Sequence, residues 1–248
     1  MKRFLILASL VLLAAATVSC NLKINGKKYV TIKGEGQFLT QDYDLSGFDS
    51  IKVEGCYDVT FIQTSGEYGV SVSTYENIFP LIEVSVEGDK LVLSSVDGKP
   101  FRTDKLEVIV KAPMLTDVTV EGSADLIMNG FTSDGDLNLL VMGAGDFNLA
   151  GVTCKAISLE VNGAGDLDVK QLSCESAKIT VNGAGDVDAD FVRADKVKVA
   201  VAGAGDVKLT GTAGDVSCSI SGVGSVDARS LTYTDFTGEK SGVGVIRK

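Results

Sequence analysis

Histidine is absent from this chain, prolines number three, and five cysteines are spread thinly over 248 residues. Each shortage excludes something. Losing histidine removes the commonest general acid–base and the commonest transition-metal ligand together. No CxxC occurs, the spacing on which structural zinc sites are built. Basic residues are also scarce, 23 against 33 acidic ones, for a formal charge of −10. Such a surface repels nucleic acid and anionic lipid headgroups, so neither is expected as a direct partner. Beyond residue 20 no apolar stripe recurs at the 3.6-residue period of a helix.

What is present begins with MKRFLILASLVLLAAATVSC. Lys2 and Arg3 precede an apolar run from Phe4 to Val18, too short and too abruptly ended to span a bilayer. Residues 1–19 read as a signal peptide; Lys2 and Arg3 leave with it, taking the formal charge from −10 to −12. The "TVSC" context resembles a bacterial lipobox, although Thr17 stands where leucine is usual, and makes Cys20 the expected lipidation site. The alternative is an ordinary secretory signal with Cys20 beside the cut by chance. Acyl chains on Cys20 would anchor the protein to a membrane, each buried methylene contributing about 0.8 kcal/mol. Residues 20–40 then form a lipidated linker. No acidic residue follows Cys20 before Glu35, which favours the periplasmic face of the outer membrane over the cell surface.

The remainder is long enough to bury a sizeable core, and its most regular feature is a repeat. Gly122, Gly143, Gly163, Gly183, Gly203, Gly222 and Gly242 follow one another at spacings of 21, 20, 20, 20, 19 and 20 residues. Two before the first six glycines stand Val120, Val141, Val161, Val181, Val201 and Ile220; four after them stand Leu126, Phe147, Leu167, Val187, Val207 and Val226. Further apolar columns lie four before and six after, with polar residues between. Alternation on both sides of the glycine reads as strand, corner, strand, with one face inward. Antiparallel hairpins give no reason for like residues at a 20-residue period. Parallel stacking does, because equivalent residues then pile up about 4.8 Å apart on successive rungs. The fold expectation is all-β: a right-handed parallel β-helix with rungs of about 20 residues over residues 116–248.

Residues 41–115 lack the clean repeat but still alternate, as in DSIKVEGCYDVTFIQT and IEVSVEGDKLVLSSV. Gly55 before CYDV echoes Gly122 before SADL, like an early divergent copy. Pro80, Pro100 and Pro113 all fall here. This half is expected to be less regular β structure, either a small sandwich-like cap or irregular rungs, that covers one end of the stack in one continuous domain with it, because open edges pair with other chains. Arg247 and Lys248 would block the other end.

The corner motif itself recurs as GAGD, with Gly143, Gly145 and Asp146; Gly163, Gly165 and Asp166; Gly183, Gly185 and Asp186; Gly203, Gly205 and Asp206. Two glycines around a small residue mark a corner that needs positive φ or a close approach between rungs. Each Asp beside it can accept bonds from corner N–H groups, and that structural reading suffices. The sharper reading is calcium, ligated by stacked carboxylates whose mutual repulsion needs a cation or N–H donors to offset it. Asp168, Asp188 and Asp227 form a second outward set, interrupted by Asn148 and Lys208. Cys154 and Cys174 occupy equivalent rung positions; a bridge is geometrically conceivable, but a column of small residues continued by Ala194 explains them as well. Cys218 falls on an inward column as a small hydrophobe.

LSGFDSIKVEGCYDVTFIQT, VSVEGDKLVLS, KAPMLTDVTVEGSADL and the serial NGAGD motifs together resemble the auto-transporter adhesin head domain, or GIN domain, family of exported bacterial proteins. The resemblance covers the chain from about residue 40 onward. It implies an exported β-helical domain, often lipid-anchored, and no catalytic residues to carry over. The expected function is a non-catalytic envelope lipoprotein of adhesin type, a module binding glycan or protein. Two alternatives stand beside it. One is a carbohydrate-active enzyme using outward carboxylates such as Asp168 and Asp188, supported by fold analogy alone. The other is a structural envelope component that forms homo-oligomers.

Overall fold

The computed structural model describes residues 31–248 apart from residue 98, with the backbone of two short strands, Lys23–Ile24 and Lys27–Lys28, ahead of them. The signal peptide assigned to residues 1–19 and the lipidation site Cys20 lie outside the described residues. Strands dominate, and the only helix among the described residues is a 3₁₀ turn at Phe79–Leu81. Among the described residues eighteen strands join one hydrogen-bonded network. It winds into a β-solenoid of about seven turns.

Each rung lays one strand segment on either side of the glycine corner, and like segments stack in parallel to make two of the solenoid's faces. Face A, before the corner, runs through Lys90–Ser95, Ser50–Gly55, Asp117–Gly122, Asp136–Val141 and Thr153–Val161, ending at Asp235–Lys240. Face B, after the corner, runs through Leu106–Ala112, Asp58–Gln63, Asp125–Asn129 and Phe147–Ala150, ending at Val245–Arg247. Three long strands, Leu167–Val181, Val187–Val201 and Asp206–Ile220, contribute to both faces.

The register reproduces the apolar columns of the repeat. Leu139, Leu159, Ile179, Val199 and Cys218 are successive partners, and all are buried. No rung could shield such residues alone, whereas the stack merges them into a single cluster reaching from Phe48 to Leu231. Gly122 pairs in parallel with Gly55, so the early echo is a true rung. Between Gln63 and Asp117 the chain lays Lys90–Ser95 and Leu106–Ala112 as the end rung of the two faces, and the other segments of this excursion, with Phe38–Tyr43, build the cap.

In the cap the strands reverse. Ile82–Glu87 lies antiparallel on Lys90–Ser95, and Phe38–Tyr43 lies antiparallel on Gly69–Tyr75, itself antiparallel to Leu106–Ala112. At the opposite end the inward columns run out: Phe236 follows Val216, Gly238 follows Cys218, and Lys240 follows Ile220. Lys248 places its ammonium 5.6 Å from the Phe236 ring centroid.

Only one corner of the rung is marked by the repeated motif. At the next corner Gly130 and Gly151 take φ of 71° and 67°, and Gln171 adopts 55° in the same place. The following rung passes Phe191 through with a register shift instead. Gly211 then returns to positive φ at 89°, and the three long strands, 15 residues each, run through this corner unbroken.

Candidate functional site

The GAGD corners stack glycine on glycine. Ala164 donates its N–H to the Gly143 carbonyl at 2.8 Å, and Ala184 and Ala204 repeat the bond to Gly163 and Gly183 at 2.9 Å. A methyl added at Gly163 would collide with that same Gly143 oxygen, and one at Gly165 with the Gly145 oxygen. Gly143, Gly145, Gly183, Gly185, Gly203 and Gly205 are crowded in the same way. Close approach, not positive φ, is what requires these glycines, since none of the eight has positive φ.

The aspartates form a ladder. Oδ1 of Asp125 accepts the Asp146 N–H at 3.0 Å, Asp146 accepts from Asp166 at 3.0 Å, Asp166 from Asp186 at 2.8 Å, Asp186 from Asp206 at 2.7 Å, and Asp206 from Ser225 at 2.8 Å. Each carboxylate thus receives a backbone donor from the next rung, which offsets the repulsion along the column. Among the described residues no three Asp, Glu or Cys side chains converge as a metal-holding group.

Outward side chains of face B make the richest surface. Asn148, Asp168, Asp188 and Lys208 stand in register on consecutive rungs. Lys170 reaches Asp168 at 2.6 Å, Lys208 reaches Asp188 at 3.7 Å, and Thr210 donates to Asp190 at 2.8 Å. Together with Gln171 they line a shallow groove of about 420 Å³. Farther along, Arg229 holds Asp227 at 2.6 Å, and its guanidinium lowers that carboxyl to about 2.

Toward the cap the same face changes character. Ile109, Thr60 and Ile127 are in-register neighbours on three parallel strands, and both isoleucines are exposed. They wall a second groove of about 420 Å³, with Asp58, Glu107 and Asp125 at one end. Burial raises the Asp58 carboxyl, and the charges of Asp125 and Glu107 push it further up.

Residues 47–170 and 158–247 each match the family described as "Putative auto-transporter adhesin, head GIN domain". The chain belongs to this family. Among solved structures, a "putative adhesin" from Bacteroides fragilis NCTC 9343 is 24% identical with a TM-score of 0.73, the match covering 87% of this chain and 99% of that one. A "putative lipid binding protein" from Parabacteroides distasonis ATCC 8503 gives 0.75 at 18% identity, covering 88% and 99%. A "putative adhesin" from the same strain gives 0.65 at 16%, with the same coverage. At these identities the likeness is one of fold, and it extends over the whole GIN-domain solenoid. No curated protein matches the chain.

In this GIN domain Cys154 and Cys174 stand in register as buried free thiols. Burial pushes them up to about 11 and 12. Cys218 is buried on its inward column. The isoleucine groove does not follow from the repeat, because Leu106–Ala112 reaches its place beside Asp58–Gln63 only through the cap's return. A signal for it does exist: Ile109 and Ile127 sit at outward positions inside LEVIVKA and DLIMN, where the alternation calls for polar residues.

Proposed function

We propose that this GIN domain is the folded binding portion of an exported, non-catalytic, adhesin-type envelope protein, anchored through a lipid on Cys20 and holding a protein partner on face B. One observation carries the reading: face B combines exposed isoleucines with charged side chains at fixed rung spacing, over two open grooves on a rigid stack. Large exposed apolar positions amid polar ones are the composition of a docking surface. The outward positions Glu107, Ile109, Asp58, Thr60, Asp125, Ile127, Asn148, Asp168, Asp188 and Lys208 include no aromatic ring on which a sugar face could stack, which favours protein over glycan. Family membership supports the envelope location.

The test uses the chain from Asn21 onward, immobilised and exposed to extracellular-matrix proteins before and after enzymatic deglycosylation, and to whole cells. Binding that survives deglycosylation is expected. Binding to none of these surfaces overturns the adhesin-type reading, and binding lost with the glycans shifts it to a lectin. Metabolic labelling with a palmitate analogue is expected to mark the wild-type chain and not Cys20→Ser; an unlabelled wild type removes the anchor.

A further inference from the structure

The isoleucine groove restricts what can occupy it. Its floor is Thr60, the shortest side chain of its row, between Ile109 and Ile127, which are 41% and 43% exposed. Two residues back along the same three strands lie Glu107, Asp58 and Asp125, again in register. Like charges directly opposite one another on neighbouring strands are destabilising. Elsewhere on face B the protein answers its outward carboxylates with its own cations: Lys170 for Asp168, Lys208 for Asp188, Arg229 for Asp227. Among the described residues no ion pair reaches Asp58, Glu107 or Asp125, and Asp125 spends one oxygen on the Asp146 N–H. The groove therefore joins an apolar trough to uncompensated negative charge.

We propose that this groove clamps a lysine or arginine side chain of a protein partner, its methylene stem between Ile109 and Ile127 and its charged head against Asp58, Glu107 and Asp125. Long basic side chains suit such a site because their stems bury on apolar surface while the head stays polar. Charge-assisted bonds to the carboxylates add strength and orientation. The acidic chain as a whole steers a basic partner toward it. This deepens the reading of face B as a binding face and rests on it for the partner's being a protein.

The probes are fluorescein-labelled peptides of alternating valine with lysine, arginine, serine or glutamate, titrated with the chain from Asn21 onward and followed by anisotropy. The lysine and arginine peptides are expected to bind at least tenfold more tightly than the serine and glutamate ones, with affinity falling as salt rises. Asp58→Asn with Glu107→Gln should weaken them at least tenfold, and so should Ile109→Ser with Ile127→Ser, which leaves the charge intact. Glu87→Gln with Glu175→Gln removes the same charge from exposed positions elsewhere and should change binding less than twofold. Circular dichroism confirms that each variant is folded. Equal loss in the control pair, or none in the isoleucine pair, overturns the clamp by reducing it to net charge. Displacement of the peptide by calcium alone overturns it in favour of a metal site. Peptide binding with no adhesion to matrix or cells would remove the adhesin-type reading and leave the clamp standing.

Discussion

The stack and its cap use glycine for different reasons. At the GAGD corners each glycine is required by its neighbour, because the carbonyl of the preceding rung occupies the space a side chain would fill. In the cap, Gly88 turns between Ile82–Glu87 and Lys90–Ser95 with φ of 67° and meets nothing within 4 Å. One is a constraint of contact, the other of torsion. Only the contact constraint propagates, so the stack repeats its sequence and the cap does not.

The sharpest way to break this comparison is to add one methyl at each place. Gly163→Ala should cost about 3 kcal/mol in urea unfolding, because the clash is with the fixed backbone of the preceding rung. Gly88→Ala should cost only about 1 kcal/mol, the strain of a left-handed residue. Equal losses would sink the contact account.

The aspartate ladder offers a smaller test. Asp166→Ala removes the acceptor for the Asp186 N–H and should lower stability by about 1 kcal/mol. Asp166→Asn keeps an oxygen there and should cost under about 0.5 kcal/mol. Since backbone donors already offset the column, EDTA should leave the melting temperature of the wild type unmoved; a fall would reassign the column to calcium.

Acid titration compares the two ends of face B. Asp227 is lowered by Arg229, from 3.8 to about 2. Its contribution is therefore present above the unfolded value and is lost as pH falls through about 2. Asp58 is raised by burial and by its acidic neighbours, so its ionisation works against the fold as pH rises. Asp227→Asn should destabilise slightly at neutral pH, whereas Asp58→Asn should stabilise slightly, and both differences should vanish in strong acid. Matching signs in melts at pH 7 would contradict the arrangement.

Smallest of all is the thiol response. In the chain from Asn21 onward a thiol reagent at pH 8 should label exposed Cys56 alone, while buried Cys154, Cys174 and Cys218 stay protected until unfolding. Rapid labelling of Cys154 would mean that its rung opens in the native state.

Much of the stack was legible in advance because its constraints are local and periodic. Val141, Val161, Val181 and Val201 announce an inward column by alternation alone, and their spacing sets the rung length. Gly55 echoes the rung pattern despite the interruption after it, since its flanks keep the same alternation, but only the pairing with Gly122 makes it a rung. The reason for the corner glycines was less readable: positive φ and close approach favour the same residue, and only coordinates separate them. The unmarked corner was less readable still. Gly130, Gly151 and Gly211 turn it with positive φ, Gln171 does so without being glycine, and Phe191 passes it with a register shift, so no single residue type marks it.

The amino-acid order by itself determined the all-β class, the period, the inward columns and the acidic character, since each follows from short-range alternation and composition. Tertiary structure alone decided that Leu106–Ala112 returns beside Asp58–Gln63, and so that Glu107 and Ile109 share one groove with Asp58, Asp125 and Ile127. Contacts between strands separated by a cap of irregular length depend on the closure of that excursion, and no periodicity encodes it.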